Sequence, residues 1–305
     1  MKSGATSRTA EYMALFRALE SARPDDERLF EDRAAASFLR PSLRAVAFAA
    51  GFPPAHALVV ALIDHRWPGP RLSGVVRTRV IDDFVTAAMH GGCTQLVLLG
   101  AGYDTRASRL PAVAASTVFE VDHPITQARK RAALGYVPEH VRYVPVDFES
   151  DALQPALTDA GLHRNERTCV LWEGVFSYLT PQAIDSSLGA LVEICAPGSK
   201  LLLTYVDQRF LETASPQAGA WFAAVHDAGE PFQTGLDPAQ AQAFFAARDL
   251  TLVNDESTTQ AARRLGVPKA HTIPEMYRLA TLTQAGAGVE SQHCQSSLVR
   301  KPSRS

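Results

Sequence analysis

The hydrophobic pattern divides the chain in two. Over the first ninety residues apolar positions recur at the three-and-four spacing of amphipathic helices, and no short two-faced run signals a strand. The spacing predicts helices over residues 9–23, stopped by Pro24, over 25–39 and over 55–64. A further helix over 74–90 is expected to open on Ser73 as its N-cap and to align Val76, Val80 and Phe84 on one face. Residues 45–63 carry no formal charge, but they are rich in Ala and broken by Pro53 and Pro54. A bilayer-spanning helix needs about 20 predominantly apolar residues, so two short buried helices meeting at the proline pair are expected instead.

After Gly91-Gly92 the period changes. Short apolar runs at 95–99, 117–121, 141–146, 168–172 and 200–206 alternate with helix-compatible segments at 124–134, 150–160 and 181–195. That alternation means right-handed βαβ units. Residues 251–254 and 277–282 add two final strands, expected to close the sheet antiparallel. The fold class is therefore α/β, a doubly wound, mostly parallel seven-stranded sheet of the Rossmann-like kind. Its expected organisation is a helical N-terminal cap over 1–90 and the sheet domain over 91–283. Ala-rich, aromatic-bearing helices at 207–248 read as a lid insertion, and the small, polar residues 284–305 as a disordered tail.

Charge and cysteine usage narrow the class further. The 305 residues hold 30 basic and 32 acidic side chains, interleaved, for a net charge of -2. No electrostatic footprint points to nucleic acid or an anionic membrane, so a small-molecule partner is expected, with a homo-oligomer compatible. The four cysteines are scattered without a CxxC pair, and the nine histidines show no metal-ligand spacing. Neither a disulfide framework nor a metal site is expected, which suits a reducing cytoplasm. Residues 1–12 lack the apolar core of a signal peptide.

The candidate chemistry collects at the strand ends. Leu98-Leu99-Gly100-Ala101-Gly102-Tyr103-Asp104-Thr105 follows the first strand, where glycines let a ligand approach the backbone. The third glycine of a dinucleotide site is replaced by Thr105, which suits a nucleoside ligand without a phosphate. Glu120 and Asp122 end the second strand, about twenty residues on, the spacing at which a carboxylate reaches ribose hydroxyls. Asp147, with Phe148 beside it, ends the third and would lie against an adenine, and Glu173 ends the fourth. One such residue is unremarkable, but four in order along one sheet edge form a ligand site.

These segments, together with Arg77-Thr-Arg-Val-Ile-Asp-Asp, resemble the leucine carboxyl methyltransferase family, and its bacterial S-adenosyl-L-methionine-dependent branch above all. The resemblance implies S-adenosyl-L-methionine as cofactor and O-methyl transfer to a small acceptor. It would set Gly100 against the methionine part, Asp122 on the ribose with Glu120 in support, and Asp147 with Phe148 on the adenine, with Gly102 and Asp104 also in the cofactor site. Arg77, in competition with Arg79, would pair with the cofactor carboxylate, and Glu173 would face its amino group. The chain departs from the family in carrying Phe148 where Leu is frequent, and in lacking a clear counterpart of an N-terminal cofactor-contacting Lys.

Methyl transfer is an in-line displacement, so proximity and alignment do most of the work. A carboxylate acceptor needs no base, whereas a hydroxyl does. Tyr178, Tyr205 and His226 are the candidate catalytic side chains, and core packing is the competing role for both tyrosines. A nicotinamide-dependent oxidoreductase, a protein carboxyl-terminus methyltransferase and a decayed cofactor-binding regulator are the alternative functions.

Overall fold

The computed structural model describes residues 8–212 and 231–284. Its strands are β1 (Gln95–Leu99), β2 (Thr117–Asp122), β3 (Val141–Pro145), β4 (Thr168–Trp172), β5 (Lys200–Val206), β6 (Leu250–Ser257) and β7 (Tyr277–Gln284). They form one sheet in the order β3-β2-β1-β4-β5-β7-β6. The first five pair in parallel, and β7 runs antiparallel to both β5 and β6. Every residue of β1 and β4 is buried, as central parallel strands covered on both faces require.

Two cores sandwich this sheet. Val97, Leu99, Phe119, Val170 and Trp172 face one, where α8 (Pro181–Ile194) contributes Ile184, Leu188 and Leu191. Leu96, Leu98, Val118 and Leu171 face the other, against Ile81 and Val85 of α4 (Pro70–His90). The remaining crossover helices are short: α5 (Arg106–Arg109), α6 (Pro124–Leu134) and α7 (Leu153–Asp159). The reversal between β1 and β4 in the strand order opens a crevice at their carboxyl ends, where such sheets bind ligands.

The N-terminal cap departs from expectation in three places. Helix α1 (Arg8–Ser21) forms, but residues 25–39 make turns and one 3₁₀ turn, Ala35–Phe38, in place of a helix. Side chains take the backbone N–H groups that a helix would use: Leu29 donates to Glu20 at 2.8 Å, Asp32 to Ser21 at 2.7 Å and Ala35 to Asp32 at 3.1 Å. Helix α4 starts a turn early, at Pro70 behind Gly69, and Ser73 lies within it, its hydroxyl bonded to Thr258. Helices α2 (Pro41–Ala49) and α3 (Pro53–Arg66) flank the proline pair as expected, yet neither holds a buried residue.

Beyond β5, residues 213–230 of the lid expected over 207–248 lie outside the described residues. Helix α9 (Gln208–Glu212) follows the strand, but α10 (Pro238–Ala246) is an ordinary crossover helix with Ala241 and Phe245 buried in the main core. A further helix, α11 (Thr258–Arg264), opens on a capping box of Ser257 and Gln260 that the sequence reading passed over. Of the tail expected over 284–305, Gln284 ends β7 and residues 285–305 lie outside the described residues.

Candidate active site

A cleft of about 640 Å³ opens over the carboxyl ends of β1, β2, β3 and β4. Gly100 and Gly102 form its floor, both with positive φ, 66° and 46°. A Cβ on Gly100 would lie 2.1 Å from Val175 Cγ2, so only glycine fits between the strand end and the loop after β4. Asp122 stands beside this floor. Its carboxylate accepts from the Gly102 and His123 backbone N–H groups, each at 2.6 Å. Burial pushes the Asp122 carboxyl above its usual range, against those two N–H groups and the Thr126 hydroxyl. The floor and the acid are thus one unit: the carboxylate fixes the loop it serves.

Asp147, Phe148, Glu173 and Arg77 line the same cleft, as do Tyr178 and Tyr277. Asp147 is exposed and accepts from the Glu149 N–H at 3.1 Å. Arg77 donates through Nε to Glu173 at 2.6 Å, with its guanidinium 4.7 Å above the Tyr277 ring and Nη2 3.2 Å from the Met13 sulfur. Arg79 turns away, to Asp83 and the Leu29 carbonyl, and does not line the cleft. Tyr178 stacks on Phe232 with ring centroids 5.0 Å apart at the cleft wall.

Two expected site residues do not belong there. Glu120 is 2% exposed, lies below the cleft rather than on it, and pairs with Lys130 at 2.7 Å. It sits two residues, about 7 Å, further down β2 than Asp122, beneath α6. Burial raises its carboxyl above the usual range, partly offset by Lys130. Tyr205 is fully buried in β5, donates to Asp255 at 2.7 Å and accepts from Arg278 at 3.2 Å, so packing is its role. Burial and Asp255 hold its hydroxyl protonated, well above its ordinary range. His226 lies outside the described residues.

Sequence reasoning missed the support beneath the site. Arg106, 3% exposed, donates to Asp82 at 2.7 Å, to Glu173 at 2.8 Å and to Asp104. Arg109 makes two further bonds to Asp82, at 2.6 and 2.7 Å. Arg17 of α1 joins Asp32 at 2.8 Å and the Tyr103 carbonyl at 2.7 Å, while Thr105 donates to Asp32 at 2.7 Å. This network clamps the glycine loop between α1, α4 and β4. Burial would raise the Glu173 carboxyl, but Arg106 and Arg77 outweigh it and hold it below its usual range. For Asp104, burial is likewise overcome by Arg106, Lys130 and Arg109, which bring the carboxyl to about 2. The signal was the placement of Arg77 and Asp82 on the inward face of α4, where an unpaired charge would not be tolerated.

A glycine floor on which Gly100 admits no Cβ, a carboxylate held by two backbone N–H groups and an Arg–Glu pair on one wall fit a nucleoside carrying an amino acid. Among the described residues no cluster could hold a metal ion, and no helix is long and apolar enough to cross a membrane.

Comparison with known proteins agrees. The family model described as leucine carboxyl methyltransferase matches residues 10–192. A protein of Frankia alni, named as a candidate S-adenosyl-L-methionine-dependent methyltransferase, is 40% identical over 201 residues, 65% of this chain and 68% of its own. One so named in Mycobacterium sp. strain KMS is 44% identical over 129 residues, which span 41% of this chain and 42% of that protein. Among solved structures, a candidate methyltransferase from Thermobifida fusca aligns over 87% of this chain and 97% of its own, with TM-score 0.56 and 18% identity. A Streptomyces avermitilis protein aligns over 88% and 96%, with TM-score 0.53 and 16% identity. Those two likenesses bear on the fold, which is the class I methyltransferase α/β fold. The family match decides against the oxidoreductase reading. The chain belongs to the leucine carboxyl methyltransferase family of S-adenosyl-L-methionine-dependent methyltransferases.

Proposed function

We propose that the protein methylates a carboxylate oxygen of a small-molecule acceptor, with a hydroxyl oxygen as the alternative, from S-adenosyl-L-methionine held in the cleft. The observation that carries the cofactor half is the Arg77–Glu173 pair beside Gly100, a cation and an anion on one wall. They match a ligand end that bears both a carboxylate and an amino group. Arg77 would take the carboxylate through its amino groups and Glu173 the ammonium, while Asp122 would accept from the ribose hydroxyls. Asp147 and Phe148 would hold the adenine. When bound, the cofactor supplies a methyl group on a sulfonium centre.

The acceptor half rests on the family and on what the two tyrosines do. Tyr205 is committed to Asp255 and Arg278, and Tyr178 is stacked on Phe232. An acceptor that arrives ionised needs neither as a base. What the chain then provides is alignment of the oxygen with the transferring carbon and exclusion of water.

The test is a screen of paired acids and their hydroxyl analogues for S-adenosylhomocysteine release, followed by a pH profile of each acceptor found. A carboxylate with an ordinary pKa near ~4 is ionised throughout, so its rate should be flat from about pH 6 to 8.5 when chemistry limits turnover. Reaction of hydroxyl compounds alone, with a rate rising through roughly pH 6.5 as a histidine base deprotonates, would reject the carboxylate assignment.

A further inference from the structure

The outer face of the α2–α3 hairpin has no role in the cleft. Four of the eight large apolar side chains exposed among the described residues fall within its fifteen positions 48–62. Phe48 is 76% exposed, Phe52 61%, Leu58 61% and Leu62 60%. The inner faces are accounted for: Leu43, Ala47, Val59 and Ile63 pack on the cluster formed by α1, Phe38 and Tyr103. The outer positions follow at helical spacing, with Phe48 and Phe52 four apart on α2 and its exit, and Leu58 and Leu62 four apart on α3. A nine-residue helix with no buried side chain is shorter than an isolated helix sustains, about 12–15 residues. Contiguous apolar exposure on this scale marks an interface.

We propose that this face pairs with the same face of a second copy of the chain, building a four-helix contact about a two-fold axis. Charge favours that occupant. Residues 45–63 carry no formal charge, so two identical faces meet without like charges opposed at the centre. A lipid surface would instead want cations on the face itself, which carries none, and the exposed Arg40, Arg44 and Arg66 at its ends each have a partner within the protein. Arg44 donates to the Ser37 and Leu39 carbonyls, Arg40 pairs with Glu11, Arg71 with Asp64, and Arg66 lies over Trp67.

Shape and area agree. Exposed Ala45, Ala49, Ala57 and Ala61 alternate with the large side chains, giving ridges and grooves that interdigitate between helices. An exposed aromatic ring offers roughly 150–250 Å², so Phe48 and Phe52 alone bare about 300 Å² at the exposures above. The leucines, the alanines and the length of α3, about 21 Å, bring the face toward the ~800 Å² per partner of a stable interface. The contact also reaches the cleft, because α1 packs on the hairpin through one side and lines the cleft with Thr9, Ala10, Met13 and Arg17 through the other.

The test is sedimentation velocity of the full chain from nanomolar to high micromolar concentration. The wild type should pass from one-chain to two-chain mass, and Phe48→Ser with Leu62→Ser should remain a single chain with an unchanged circular dichroism spectrum. Should the double variant fail to fold, Ala57→Glu sets one charge against its symmetry mate and should give the same shift. A wild type that stays monomeric throughout, or a dimer that survives both variants, overturns the proposal. So does co-sedimentation of wild type, lost in the variants, with phosphatidylcholine–phosphatidylglycerol vesicles, which would make lipid the occupant.

Discussion

At the residue scale the site turns on which acids face the ligand and which face the protein. Glu120 and Asp122 lie two apart on one strand and looked interchangeable in sequence, yet one is bound to Lys130 and the other reaches the cleft. Glu120→Ala should therefore leave cofactor affinity unchanged. It would strand Lys130, 1% exposed, without its partner, so urea unfolding should report a loss of about 3–5 kcal/mol. A fall in cofactor affinity with stability retained would return Glu120 to the site. Asp104 gives a pH-dependent counterpart. Its folded carboxyl is depressed to about 2, below the ~4 of an unfolded Asp, so its ionised form stabilises the fold. That contribution, about 2 kcal/mol, is fully present above pH ~4 and lost as the pH falls through ~2. The stability gap between wild type and Asp104→Asn should close over that window, and a gap independent of pH would show that ionisation is not its source.

At the scale of elements, legibility followed punctuation. Strands β1, β4 and β5 and helix α6 fall on the boundaries read from sequence, because Gly or Pro brackets most of them and the strands are apolar on both faces. Residues 25–39 carried a helical period, and Glu20, Ser21 and Asp32 capture their backbone N–H groups in a way periodicity does not register. Tyr205 read as a reacting-edge residue because its partners, Asp255 on β6 and Arg278 on β7, arrive only through the topology. The glycine turn after β1 was legible as a close-approach element, and the structure adds what approaches it, the Val175 side chain. Gly100→Ala forces φ +66° on a residue with a Cβ and places that carbon 2.1 Å from Val175 Cγ2. Overpacking of this kind costs roughly 1–3 kcal/mol. Adding Val175→Ala should recover part of the loss in thermal unfolding, with the backbone strain left behind. Equal stability of single and double variants would mean that the clash is relieved elsewhere.

For the whole molecule, the sheet and the clamp act as one device. The strand reversal between β1 and β4 makes the crevice, and α4 crosses beneath it with Arg77 on Glu173, while Asp82 anchors Arg109 and Arg106, the second arginine that holds Glu173. The order of acids along the sheet edge was legible because Asp122, Asp147 and Glu173 each lie at or within two residues of a strand's carboxyl end. The buried arginine network was not, because it joins residues from α1 to β4 that share no sequence period. In the proposed binding mode Asp122 would contact the ribose, and Arg77 with Glu173 forms the charged wall of the cleft. Calorimetric titration of S-adenosylhomocysteine into wild type and Asp122→Ala tests it most directly. One molecule should bind per wild-type chain with no comparable binding of NAD, and Asp122→Ala should weaken it by about 1.5–3 kcal/mol, the usual worth of hydrogen bonds to a charged group. Preferential binding of NAD by the wild type, or undiminished affinity in a folded Asp122→Ala, would contradict the account.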